Sequence, residues 1–201
     1  MFFVLMSAQT GGMDAPTDDA KERNRKLDNA LGELAKGSMP ALDVIYELTQ
    51  SGIYAFAFSM LKSAEDAEDV MQDTYVKVCL NAKAYKSEGK PMAWIVTITR
   101  NLALMKLRSG KHEGSLPDYE WNAVSDEAAE NFGTEDRIVI KSAMKVLNDE
   151  EAQIVMLHAV SGLKHREIAE IYNMPLATVL SKYNRSIKKL QKALEDKLEQ
   201  Q

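Results

Sequence analysis

Residues 163–191 read LKHREIAEIYNMPLATVLSKYNRSIKKLQ: a short run with apolar residues at helical spacing, a break at Asn173-Met174-Pro175, and a longer run rich in lysine. Asn173 can take the left-handed conformation that a tight turn needs, and Pro175 presets the first dihedral of a following helix. Small Ala169 lets two helices cross closely. The pattern is that of a helix-turn-helix, in which the second helix enters the major groove and sets its N-terminal side chains on base edges and phosphates. On a wheel of about 100° per residue, Leu176, Leu180, Tyr183, Ile187, Leu190, Leu194 and Leu198 gather on one side, the expected core face. Opposite them stand Thr178, Ser181, Lys182, Arg185, Lys188, Lys189 and Lys192, with no carboxylate before Glu195. A basic helix face is often only a solvated one; the turn that precedes it favours a DNA-reading face here.

The helical pattern extends in both directions. Residues 27–108 carry apolar residues at three and four spacing in LDNALGELAKG, PALDVIYELTQSGIYAFAFSMLK, AEDAEDVMQDTYVKVCLNA and PMAWIVTITRNLALMKLR. Ser63, with Asp66 three residues later, predicts the start of the third of these helices, and Pro91 falls in the first turn of the fourth. Residues 113–136 hold eight acidic residues and no lysine or arginine, the composition of an extended, solvated linker. Helical signal resumes near Glu135, with interruptions at Leu147-Asn148, Ser161-Gly162 and Asn173-Pro175, so four helices are expected on each side of the linker. No stretch alternates with the period of two that marks a sheet. The predicted fold is all-α, two small helical domains joined by a flexible acidic linker: a disordered tail over 1–24, a first domain over 25–112, the linker over 113–134 and a helix-turn-helix domain over 135–201. Halves of this size each bury roughly 60–68% of their unfolded surface, enough for each to hold its own core.

Composition narrows the function. A chain of 201 residues with 45% hydrophobic and 27% charged residues is ordinary for a soluble globular protein. Its net charge of −5 works against general attraction to a polyanion, so any contact with nucleic acid must come from local basic patches. The single cysteine, Cys79, cannot close an internal disulfide, and with three scattered histidines it offers no metal-ligand spacing, so neither a metal nor another cofactor is expected. The apolar start MFFVLM is too short for a membrane span and lacks the basic flank of a signal peptide. A cytoplasmic protein is expected, with Met6 and Met13 as alternative starts.

Two segments of the first half carry further chemistry. In the third helix Val70, Ala67, Met71, Thr74 and Val78 take one side, and Glu65, Asp66, Asp69, Gln72 and Asp73 the other. That acidic side suits a basic protein partner rather than DNA. The fourth helix is apolar at Trp94, Ile95, Val96, Ile98, Leu102, Leu104 and Leu107, and carries no acid from Met92 to His112. Before it lies AYKSEGKP, a polar loop entered by an aromatic, Tyr85. Aromatics and cations beside a loop can receive unstacked bases of single-stranded DNA. A core position is expected for Trp94; for Tyr85 core and base contact are equally open.

Taken together, AEDVMQDTYVKV, WIVTITRNLALMKLR and LNDEEAQIVMLHAVSGLKHREIAEIYNMPLATVLSKYNRSIKKL resemble regions two and four of the extracytoplasmic-function sigma factors, of the sigma-70 family of bacterial RNA polymerase. The likeness covers residues 27–108 and 135–194, and three blocks in order across a linker are far more specific than the turn alone. It implies an alternative sigma factor directing promoter-specific initiation. Its partners would be core polymerase, through the clamp helices of the largest subunit and the flap, promoter DNA, and the anti-sigma factor that often holds family members inactive. Asp69, Gln72 and Asp73 would dock on the clamp helices. The loop before Trp94 would capture a flipped base of the −10 element, pointing to Tyr85, Lys86, Ser87 and Lys90, with Arg100 and Asn101 along the melted strand. The second helix of the turn would read the −35 element through Thr178, Ser181, Lys182, Arg185 and Lys189. Catalysis would belong to the polymerase.

The chain departs from the family pattern at several positions. Met105 stands where the family usually has aspartate, and the basic end of that helix thins to Arg108-Ser109-Gly110-Lys111. In the recognition helix Ala177, Leu180, Lys182 and Ser186 replace the usual Gly, Arg, Arg and Ala, and Lys164 replaces a small polar cap. Lysine for arginine loses bidentate reading of guanine, so the −35 preference is expected to differ. Two rivals remain at this stage. One is a sigma-like interaction module that binds polymerase or a regulator without reading DNA; the other is a dimeric helix-turn-helix repressor, which leaves the acidic helix and the WIVTITRN block unexplained.

Overall fold

The computed structural model describes residues 18–110 and 145–198. Among these, every regular element is helical: α1 (Asp18–Ala35), α2 (Pro40–Leu61), α3 (Ala64–Asn81), a 3-10 turn at Ala82–Ala84, α4 (Pro91–Gly110), α5 (Asp149–Val155) running into a π turn at Met156–Val160, α6 (His165–Tyr172) and α7 (Leu176–Leu198). The all-helical expectation holds, as do the four helices before the linker. The expected linker and most of the helix expected from Glu135 lie outside the described residues. No helix of the described residues is long and apolar enough to cross a membrane.

Helix ends follow local chemistry. Ser63 accepts the amide of Asp66 at 3.2 Å and starts α3, as its spacing predicts. Asn148 and Glu151 cap each other at the start of α5. At α6 only half of such a box exists, because Lys164 has no acceptor; Glu167 reaches back to the Lys164 amide at 2.8 Å. Asn173 takes φ 51° and ψ 47° and closes α6 through its amide, turning the chain into α7 as predicted. The disordered tail expected over 1–24 does not hold for 18–24, which belong to α1; residues 1–17 lie outside the described residues. Asp18 and Asp19 favour the positive end of a helix dipole, and Arg23 in its second turn donates to the Ser161 carbonyl at 2.6 Å.

α2 is the pivot of the molecule. Its run Gly52–Ser59 is buried residue by residue, with Ile53, Phe56 and Phe58 at most 1% exposed. A helix apolar all round must be covered all round. One side packs with Leu27, Leu31, Val78 and Ile95, while Ile154, Leu157, Leu163 and Ile168 of the C-terminal half join the same cluster. A second cluster unites Tyr54, Ala55 and Phe58 with Leu147, Val155 and Met156. The expectation of one core per half is therefore corrected: both clusters cross between the halves, because GIYAFAFS has no polar side to leave in water. Each fully buried large side chain contributes about 1.5–3 kcal/mol. Gly52 permits the approach, since a Cβ there would meet Ser161 Oγ at 2.8 Å and its Cα at 3.0 Å.

Candidate nucleic-acid and protein interfaces

The acidic side of α3 is built by a helix whose other side is fixed inward. Ala67, Val70, Thr74, Tyr75 and Val78 are buried, which turns Asp69, Gln72 and Asp73 to solvent. Asp69 is not alone there: Lys106 of α4 bonds to it at 2.7 Å and to Asp66 at 2.8 Å. Desolvation pulls the Lys106 ammonium down, but the two carboxylates outweigh it and hold its pKa above the usual lysine range. Asp73 has no ion pair among the described residues. Val76 and Leu80, 56% and 71% exposed, continue the same line one and two turns on. Sequence reasoning missed them, although their spacing from Asp69 and Asp73 places them on that line.

The second surface is a pocket of about 480 Å³. The 3-10 turn and loop after α3 form one wall, and α4 forms another by presenting Ala93, Trp94, Thr97, Arg100 and Asn101 at turn spacing. Of the six residues expected here, Tyr85, Lys86, Lys90, Arg100 and Asn101 line it; Ser87 does not. Tyr85 is half-buried and packs on Trp94, ring centroids 5.1 Å apart and planes at 56°. Its hydroxyl donates to Asp28 of α1, and Ser87 Oγ donates to the other oxygen of the same carboxylate. Burial, reinforced by Asp28, pushes the Tyr85 hydroxyl well above the usual phenol range, so it stays protonated. Trp94, expected in the core, is only partly buried and borders the pocket.

The third wall comes from the other half of the chain. Glu167, Glu170 and Ile171 of α6 line the same pocket. Lys90 Nζ bonds to both Glu170 oxygens at 2.7 and 2.8 Å, and the Arg100 guanidinium lies 5.3 Å from the Tyr172 ring centre. No local sequence signal joins residues so far apart in the chain.

On α7 the observed core face is rotated from the expected one. Val179, Ser186, Ile187 and Leu190 are buried, whereas Leu176 is 41% exposed and Leu180 and Tyr183 are half-buried. The wheel was centred on leucines; packing is centred on the Val179 side, where α5 and α6 lie. That rotation changes the basic face. Lys182 bonds to Glu150 at 2.6 Å and Lys189 to Glu151 at 2.7 Å, so both lie along the α5 flank rather than directly outward. Burial raises the Glu151 carboxyl, but Lys189 and the Asn148 amide outweigh it and leave the pKa below the usual value. Ser181, Arg185, Lys188 and Lys192 are exposed and Thr178 is half-exposed.

Comparison with known proteins is specific. The family model for Sigma-70 region 2 matches residues 45–113, and that for Sigma-70, region 4 matches residues 137–190. The chain is 26% identical over 181 residues to the ECF RNA polymerase sigma factor SigW of Bacillus subtilis (strain 168), covering 82% of this chain and 94% of SigW. Among solved structures it shares the fold of the sigma factor RpoE of Bartonella quintana, solved with the anti-sigma factor NepR, at a TM-score of 0.58 and 24% identity over 76% of this chain and 97% of that one. It shares that of CnrH, solved with the cytosolic domain of CnrY, at a TM-score of 0.59 and 19% identity over 85% and 98%.

Proposed function

The chain belongs to the extracytoplasmic-function sigma factors of the sigma-70 family, and from that membership we propose how its surfaces divide the work of an alternative sigma factor. The α3 face of Gln72 and Asp73, continued by Val76 and Leu80, docks on basic clamp helices of core polymerase, with Asp69 contributing less because Lys106 already holds it. The pocket between the 85–90 loop and α4 receives an unpaired base of the −10 element: the Tyr85 and Trp94 rings supply stacking surface. Lys86, Lys90, Arg100 and Asn101 supply donors for phosphates and base edges. Thr178, Ser181 and Arg185 at the outer side of α7 read the −35 duplex, and Lys188 and Lys192 add phosphate contacts. Lys182 joins that surface by exchanging Glu150 for a phosphate, and the exposed Lys189 ammonium reaches a phosphate while keeping the buried Glu151. Binding of this kind falls steeply with salt. An anti-sigma partner fits the same reading, by analogy with the solved RpoE complex. We read the chain as an initiation factor acting in the cytoplasm, with bond formation left to the polymerase.

The observation that carries this reading is the convergence of Tyr85, Lys86, Lys90, Arg100 and Asn101 on one pocket beside Trp94. Run-off transcription with purified core polymerase and a promoter library tests it. Initiation above core alone is expected, lost on Arg100→Ala with Asn101→Ala while binding to core persists. Intact core binding with no initiation from any promoter would instead favour an interaction module that does not read DNA.

A further inference from the structure

Asp28 lies on α1, a helix to which the pocket reading assigns no part in DNA contact. Leu27 and Leu31 fix this helix in the core at 1% and 0% exposure, which holds the Asp28 side chain against the loop after α3. Its two carboxylate oxygens accept from Tyr85 and Ser87, one oxygen each. The loop is otherwise anchored at its ends: the Tyr85 amide bonds to the Ala82 carbonyl at 3.1 Å, and the Lys90 carbonyl accepts the Trp94 amide at 3.2 Å. Between them Gly89 turns the chain at φ 71°, a residue that adds backbone freedom unless other contacts fix the loop.

The consequence is a division of labour within Tyr85. Its hydroxyl is committed to Asp28, so what it offers the pocket is its ring, tilted against Trp94. Ser87, expected from the family likeness to touch DNA, is turned to α1 instead and lines no part of the pocket. We propose that Asp28 is a positioning residue for base capture, its carboxylate pinning Tyr85 and Ser87 so that the loop meets the melted strand already ordered. A loop held in its binding geometry saves the ordering cost that a mobile one would lose on binding. The inference rests on the pocket reading above, and its test separates the two.

The chain has two tryptophans, Trp94 and Trp121, so Trp121→Phe leaves Trp94 as a reporter beside Tyr85. In that background Asp28→Ala should raise acrylamide quenching of Trp94 in the full chain. In holoenzyme it should weaken binding of a single-stranded oligonucleotide, carrying the −10 strand of a promoter selected by run-off, by about tenfold. Binding to core and to −35 duplex should stay unchanged. Asp28→Asn should recover most of both effects, because its amide oxygen still accepts from Tyr85 while its amide nitrogen donates to Ser87. The proposal is overturned if Asp28→Ala leaves quenching and oligonucleotide affinity within twofold of the parent. Equal losses of core, duplex and oligonucleotide binding would also overturn it, marking Asp28 as a general stabiliser. Should quenching rise with oligonucleotide affinity intact for both Asp28→Ala and Tyr85→Ala, the tether stands and the pocket reading fails.

Discussion

Lys106 shows why charge counted along a helix overstates what a partner meets. It sits between Asp66 and Asp69 at 2.8 and 2.7 Å, so part of the acidity that a wheel assigns to α3 is already answered from α4. The same holds on α7, where Glu150 and Glu151 face Lys182 and Lys189. A wheel shows which side of a helix a residue occupies but not what lies across from it. The Lys106 and Lys182 pairs are exposed or half-exposed, each worth about 0.2–1 kcal/mol, weak enough to exchange with a partner, whereas Glu151 is buried beneath Lys189. The uneven pairing predicts an uneven response. Asp73→Ala should weaken core polymerase binding about three- to fivefold, up to about 1 kcal/mol, whereas Asp69→Ala should change it less than twofold. Lys106→Met should strengthen binding by releasing both carboxylates. Titration of labelled core with each variant decides the matter, and a greater loss at Asp69 than at Asp73 would reverse the assignment.

Elements whose limits are set within a few residues were legible in the sequence. Ser63, Asn173 and Pro175 act through bonds and dihedrals that span less than a turn, and the structure places the ends of α3, α6 and α7 where those residues predict. On the α4 side Arg100 and Asn101, expected from the family likeness, line the pocket, whereas Trp94, expected in the core, is only partly buried and borders it. Three features were not legible. The π turn at Met156–Val160, whose Ser161 amide reaches the Met156 carbonyl at 3.0 Å, shifts the helix face by one residue with no compositional mark. The tether from Asp28 and the wall from α6 join distant parts of the chain, beyond any local pattern. One local weakness is visible in both sequence and structure: α6 starts at Lys164, whose extended conformation suits a cap but whose side chain cannot accept the amide of Glu167. Lys164→Ser should restore the missing half of the box and stabilise the protein by about 0.5–1 kcal/mol, raising Tm by about 1–4 °C in thermal unfolding. An unchanged or lower Tm would mean that the Lys164 side chain makes a compensating contact.

In the whole molecule, the two halves share α2 through Gly52 and Ser161 and share the pocket through Lys90 and Glu170. The acidic groups of α6 therefore stand where phosphates of a bound strand would be attracted, and Lys90 cannot serve both at once. On the proposed reading a bound strand gains Lys90 only when Glu170 releases it, so apparent affinity for single-stranded DNA is reduced by the fraction of molecules in which the two remain paired. The Lys90 pair is partly exposed, with Glu170 60% accessible, and salt weakens it. Glu170→Lys replaces attraction by repulsion at this contact and should shift the population toward separated halves. Two measurements on the free full-length chain follow. The radius of gyration from small-angle scattering should increase relative to the parent, and single-stranded oligonucleotide should bind about three- to fivefold more tightly. Because the substitution also adds positive charge near the strand, the scattering result carries the argument. Tighter binding with an unchanged radius would be ordinary electrostatics, and the pairing of α6 with the loop would then not limit access to the pocket.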